Sequence, residues 1–346
     1  MSLGRRQTLA LLGSSFVVRP AFAADRTIVD SAKRSVTLPD KISKVFVAGP
    51  PASVLAYVLA RDAMVGWVRE PSAAEKEFLA PPARDLPETG RLTGRGDTVS
   101  LERLVATKPD LVLDFGSTTR TFVSLADRVQ SQTGIPYVLI DGKFDATVPS
   151  LKLAADILGR PQRGAELAAY ADKTFAAVDG VLAKAPMDKR PKVYLARGPE
   201  GLETGARGSI NTEIIERVGA VNVAEGLGGH GNIANASLEQ IVAWNPDVIV
   251  TLDRRFFQNV KNKPGWEQVR AVAGNKVYLA PSLPWGWIDA PPSLNRLIGL
   301  RWLLATLYPD EAKTDMRAET RSFYDLFYGV SVTDAQIDRL LGGKTG

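Results

Sequence analysis

One phrase of 14 residues occurs twice, and it restricts the fold more than any other feature of the chain. Ser100 to Leu113 reads SLERLVATKPDLVL, and Ser237 to Val250 reads SLEQIVAWNPDVIV. Ser, Leu, Glu, Val, Ala, Pro and Asp recur in place, and the aliphatic positions exchange one branched residue for another. Both copies have the same local meaning. The serine is an N-cap and the glutamate sits in a first helical turn, where the helix dipole favours it; Pro-Asp stops the helix, and the apolar run that follows is a buried β-strand. Two αβ units 137 positions apart predict two related lobes, because a solenoid needs many copies at short period.

The flanks of the copies agree. Lys44-Val-Phe-Val-Ala-Gly49 and Lys192-Val-Tyr-Leu-Ala-Arg-Gly198 each open a lobe as a strand ending in glycine, and further short apolar strands read at 64–68, 136–140 and 276–280. Strands alternating with helical patterns imply parallel sheets covered by helices on both faces. Between the copies, Gly159-Arg-Pro161 divides a helical stretch at 149–158 from a longer one at 163–184. In the longer stretch Ala168, Ala171, Phe175, Val178 and Leu182 form one apolar stripe, and 22 helical residues run roughly 33 Å, enough to cross between lobes. The expected fold is α/β, two Rossmann-like lobes joined by a long helix. A surface helix within one continuous domain is the plainer alternative.

The basic balance of +5 invites a nucleic-acid reading, which the first 23 residues undo. They carry Arg5 and Arg6, an apolar stretch from Thr8 to Val18, and Ala21-Phe22-Ala23 as a cleavage site, the pattern of an export signal by the general or the twin-arginine route. Removing its three arginines from 43 basic residues leaves 40 against 38 acidic ones, so no nucleic-acid footprint is expected. The expected location is the periplasm. The chain has no cysteine and one histidine, His230, which excludes thiolate sites, cysteine nucleophiles and multi-histidine metal cages.

The export signal, the paired lobes, the helical spine and the doubled SLExxVAxxPDxxV element together resemble the periplasmic binding proteins of ABC importers, in the helical-hinge class that carries iron–siderophores, haem, cobalamin and related metal compounds. The segment PWGWIDAPPSLNRLIGLRWLLATLYPD, Pro284 to Asp310, is similar to a subgroup that includes binders of nickel or iron chelates and of molybdate or tungstate. The resemblance implies a signal peptide at 1–23, an N-terminal lobe at 24–148, linker helices at 149–186 and a C-terminal lobe at 187–346. It implies a monomer without catalytic activity or cofactor, whose partners are a small metal compound and an ABC importer permease dimer. It also implies that Glu102 and Glu239, one per lobe, pair with arginines on the two permease subunits; the plainer alternative is that they only complement their helix dipoles.

Ligands of open α/β sheets bind beyond the carboxyl ends of the strands. The loops there place Pro50, Arg91 and Phe115 on the first lobe, and Arg197, Arg207, His230, Arg254, Trp285 and Trp287 on the second. Arginine forks, glycine-rich backbone and indole walls complement an anionic ligand. With no cysteine and a lone histidine, and no acidic cluster of calcium-loop spacing, no metal site of the chain's own is expected; a metal already wrapped in a chelator leads, and a molybdate or tungstate oxyanion follows. Haem through Tyr57, Tyr137, Tyr194 or His230 stays open. A chelate asks for a broad cleft with aromatic walls and an oxyanion for a small nest of N–H donors. An envelope enzyme is the competing class, but Gly-x-Ser-x-Gly does not occur and no motif argues for it.

Overall fold

Short runs of β-branched and aliphatic residues, apolar on both faces, can only be satisfied inside a sheet covered on both sides, and they form two separate parallel sheets. The computed structural model describes residues 25–94, 96, 98–206, 208–224, 226–227 and 233–342. A hairpin of β1 (Arg26–Val29) and β2 (Ser35–Leu38) precedes the first sheet, in which β3 (Val45–Val47), β4 (Leu111–Gly116) and β5 (Tyr137–Asp141) lie side by side in that order. The second half contains β6 (Lys192–Ala196), β7 (Glu203–Gly205), β8 (Val221–Asn222), β9 (Ile233–Asn235), β10 (Val248–Thr251) and β11 (Val277–Leu279). Its parallel sheet has the order β11-β10-β6-β8, with β7 and β9 paired antiparallel beside it. The two parallel sheets are distinct, as the duplication requires.

The repeat folds alike in both places. Ser100 Oγ accepts the Arg103 N–H and starts the helix Leu101–Ala106, and Ser237 Oγ accepts the Gln240 N–H and starts the helix Leu238–Trp244. Each helix leads into the central strand of its lobe, β4 or β10. The shared aspartates then bind the neighbouring strand. Asp110 accepts from Ser43 N–H (2.7 Å), Ser43 Oγ (2.8 Å) and Lys44 N–H (2.8 Å), while Asp247 accepts from Lys192 N–H (2.9 Å). The Pro-Asp pair is thus more than a helix stop, since its carboxylate fixes the entry of β3 or β6 alongside the repeat's own strand.

Two helices follow the first sheet, Thr147–Ile157 and Pro161–Leu182, the second opened by a proline in its first turn. Ala168, Ala171 and Val178 of the expected stripe are buried, with Phe175 and Leu182 packed beside them. One hydrophobic core runs through both halves, from Val45 and Val47 to Val193 and Leu195, and a smaller cluster lies on the outer face of each sheet. The last helices do not stay with the second half. The Tyr324–Tyr328 turn packs on the helix Pro50–Ala60, where Tyr57 Oη donates to the Tyr328 carbonyl (2.7 Å), and Arg339 pairs with Glu77.

Candidate functional site

Beyond the carboxyl ends of the first-lobe strands the chain turns directly into helices. Gly49 is the N-cap of Pro50–Ala60 and has no side chain to close it; the prolines at 50 and 51 carry no N–H, so helix geometry leaves the Gly49 and Ala52 N–H groups without intrahelical acceptors. The next such helix, Arg120–Thr133 after β4, also starts without a side-chain cap. A Cβ on Gly49 would run into Thr93 Oγ1, which is why this position is glycine. The Leu92 and Thr93 N–H groups donate to the Ala48 carbonyl and fix this loop to the end of β3. Pro50 is partly exposed there, and Arg91 closes the loop through Nε–H to the Gly96 carbonyl (3.0 Å).

From the second lobe, Arg197 extends from the end of β6 and pairs with Asp289, whose side chain is 1% exposed. Asn211 Nδ2 donates to both oxygens of Asp289 (3.0 and 3.1 Å) and the Ala290 N–H to one (2.7 Å), so the carboxylate locks the guanidinium in place. The same segment reaches the first lobe, where Ser293 Oγ donates to the Pro51 carbonyl (2.9 Å).

Arg296 fastens the floor of the seam. It is 2% exposed and donates to the Gly142 carbonyl after β5 (2.6 Å), to the Ile210 carbonyl (2.8 Å) and to Glu213 (2.7 Å), with its guanidinium 4.3 Å from the centre of the Phe144 ring. A Cβ on Gly142 would stand 2.7 Å from Gly116 Cα and 3.3 Å from Ile210 Cδ1, so at its floor the seam is one side chain wide. Burial lowers the Arg296 pKa and Glu213 opposes that fall, consistent with a buried charge kept by its partner.

The structure rearranges the expected site residues. Pro50, Arg91 and Arg197 stand at the carboxyl ends of the strands. Trp285 is half-buried, ringed edge-on by Tyr57 (5.4 Å) and Tyr328 (5.0 Å). Phe115 (3% exposed) and Trp287 (0%) are core residues, because Phe115 faces the side of β4 that the shared core covers and Trp287 Nε1 donates inward to Tyr324 Oη (3.2 Å). Arg254 is exposed at the head of a helix that Asp253 already caps, so that helix end is closed to an anion. Arg207 and His230 lie outside the described residues, as does the expected signal at 1–23. Tyr57, Tyr137 and Tyr194 are all 0% exposed, with hydroxyls committed to Tyr328, Asp114 and Gly201, which removes them as haem ligands.

Asp289 and Arg296 do not stand out in the sequence as site residues. Each is one charged residue in an apolar context, WIDAP and LNRLIG, where burial demands a partner, and that was the available signal. Among the described residues no group of His, Cys, Asp or Glu is placed to hold a metal ion, and no helix is long and apolar enough to cross a membrane.

Glu102 and Glu239 are exposed in the first turns of the repeat helices. Bonds to Ser100 and its own N–H hold Glu102 below the usual carboxylate range, and its own N–H and Ser237 do the same for Glu239. A helix that precedes its strand in a parallel sheet begins at the strand's carboxyl end, so both acids lie on the seam edge of their sheets. A groove of about 600 Å³ lined by Ser43, Lys44, Asp62, Glu88 and Arg103 opens beside the amino ends of the first sheet, away from this edge.

The profile of a family described as periplasmic binding protein matches residues 60–283. The chain is similar to the molybdate-binding protein MolA of Haemophilus influenzae, with 30% identity over 89% of this chain and 92% of that one. Among solved structures it is similar to an ABC transporter solute binding protein from Sulfurospirillum deleyianum (TM-score 0.83, 25% identity, 92% of this chain and 99% of that one). It is also similar to the structure of Haemophilus influenzae MolA bound to molybdate (TM-score 0.72, 27% identity, 89% and 99%).

Proposed function

The chain belongs to the periplasmic binding protein family as the substrate-binding component of an ABC transporter, not an enzyme, and from that premise we propose that it captures a tetrahedral metal oxyanion of the molybdate and tungstate class between its lobes. The observation that carries this reading is the chemistry left at the strand ends. Two of the three aromatic side chains that would wall a chelate, Phe115 and Trp287, are packed into the core, and what stands at the strand ends is a helix N-terminus without a side-chain cap at Gly49, the Thr93 hydroxyl beside it and an arginine held by Asp289. Uncapped helix N–H groups and a fixed guanidinium suit a small dianion. The molybdate-binding relative supports the same choice, which puts the oxyanion ahead of the chelate favoured by the sequence alone.

The lobes 24–148 and 187–346, joined by 149–186, would each supply one wall. Export under the signal at 1–23 places the receptor where an importer collects its substrate. Glu102 and Glu239 then present the loaded receptor to the permease. Exposed ion pairs of this kind contribute only ~0 to 1 kcal/mol each, but two at a set separation fix registry and steer encounter. Trp285 favours the second reading, a metal chelate, because it is partly exposed and edge-packed by Tyr57 and Tyr328 at the seam.

Titration calorimetry with molybdate, tungstate, sulfate and a ferric siderophore tests the choice. The expected result is one molybdate or tungstate per chain, lost on Arg197→Ala, with no heat from the siderophore. Siderophore binding without oxyanion binding would reverse it.

A further inference from the structure

Beneath the open turn at Gly49 lies a carboxylate for which ligand capture as described has no use. Asp114, on β4, is 4% exposed and accepts from Tyr137 Oη (3.0 Å), the Phe115 N–H (2.9 Å) and Thr93 Oγ1 (3.4 Å). All three donors are neutral. From β5 the titratable group facing it is Tyr137, whose own ionisation burial and Asp114 oppose. Arg34 reaches the Tyr137 carbonyl but is paired with Asp30 and Asp127, and Arg91 on the overlying loop bonds Gly96. The helices covering this face carry Glu102, Arg103, Arg120, Asp127 and Arg128 at exposed positions, and β3 contributes only Val45, Phe46 and Val47. A buried negative charge therefore sits one hydroxyl away from the place where an anion would bind.

We propose that Asp114 takes up one proton from solvent when the oxyanion is captured, with Thr93 as the relay between them. Thr93 has a single hydroxyl hydrogen. With Asp114 ionised, that hydrogen points at the carboxylate and Thr93 offers the seam only lone pairs. With Asp114 protonated, the acid donates to Thr93 Oγ1 and the threonine hydrogen turns toward Gly49, adding a donor for the ligand and removing the charge that repels it. Burial, opposed by Tyr137, Phe115 and Thr93, pushes the Asp114 carboxyl up to about 6, within reach of such coupling. The inference rests on the oxyanion reading above and makes Asp114 a positioning residue that acts through Thr93.

Calorimetric titration of the full chain with micromolar sodium molybdate, in two buffers of different ionisation enthalpy, tests it. Linkage to a carboxyl titrating near 6 predicts binding at least about fivefold tighter near pH ~6 than near pH ~8, rising to about fiftyfold when a whole proton is taken up, with net proton uptake in both cases. Asp114→Asn, which mimics the protonated acid, should bind with the same affinity across that range and at about the tighter level. Thr93→Val should bind more weakly at every pH and with a shallower slope, since the Asp114 charge stays while the relayed donor is gone, and it carries the test should Asp114→Asn fail to fold. Wild-type affinity that does not vary with pH, a slope retained without the acid, or a slope undiminished without the hydroxyl overturns the inference alone. Absence of binding at every pH overturns the oxyanion reading and this coupling with it.

Discussion

Asp110 and Asp247 show how one residue type, repeated, builds the same join twice. Burial works against the Asp110 carboxylate, but donors from Ser43 and Lys44 outweigh it and hold the group below the usual carboxylate range. A depressed carboxyl contributes stability above its unfolded range and loses it as pH falls through the folded value. Asp110→Asn should therefore cost about 0.5 to 1.5 kcal/mol in urea unfolding at neutral pH, a modest figure because water screens this half-exposed carboxylate, with the gap to wild type closing below about pH 4. Arg296→Ala should cost more, about 3 kcal/mol or above, because Glu213 and the Gly142 and Ile210 carbonyls lose their donor in a buried site. An equal stability for the two variants would contradict the bridging assigned to Arg296. Neither role was legible in the sequence: Asp110 reads locally as a helix stop, and nothing near Arg296 in the chain names partners that lie 83 to 154 positions away.

At the scale of elements, what is local was legible. The N-capped repeat helices and the apolar strands at 45–47, 111–116, 192–196 and 248–251 follow from capping chemistry and from runs that can only be buried. Ser100→Ala and Ser237→Ala should each cost about 1 kcal/mol in thermal or urea unfolding, and similar losses would confirm that the two copies are energetically equivalent. The side of a strand or turn that becomes core was not legible. Phe115 and Trp287 read as cleft walls because both follow strands, yet the shared core claims them, a decision made by helices distant in the chain, such as the Tyr324 turn against Trp287. Gly142 is the sharpest case: Gly142→Val would drive a side chain into Gly116 and Ile210, so molybdate binding should fall while each sheet stays intact by circular dichroism. Unchanged binding would show that the floor of the seam plays no part in capture.

The whole molecule is a doubled αβ unit closed into one receptor by segments that cross between the halves. Tyr57 to Tyr328, Ser293 to Pro51, Arg296 to Gly142 and Arg339 to Glu77 tie the lobes together, so the account expects only modest closure on the ligand. The repeat made the two lobes legible; these crossings were not, because they join residues with no common pattern in the chain. Reversing both exposed glutamates, Glu102→Lys with Glu239→Lys, should abolish transport in cells while ligand affinity in solution stays unchanged; transport at the wild-type rate would reduce both acids to helix-dipole partners. In the proposed receptor the seam holds a bare oxyanion between one lobe's open helix end and the other lobe's fixed arginine. Native mass spectrometry of the protein purified from its own cell envelope, with elemental analysis of the same sample, addresses this most directly. Capture of a bare oxyanion requires molybdenum or tungsten in equal number to the chain and a mass increase of a single oxyanion, whereas iron accompanied by an organic mass of several hundred daltons would contradict it.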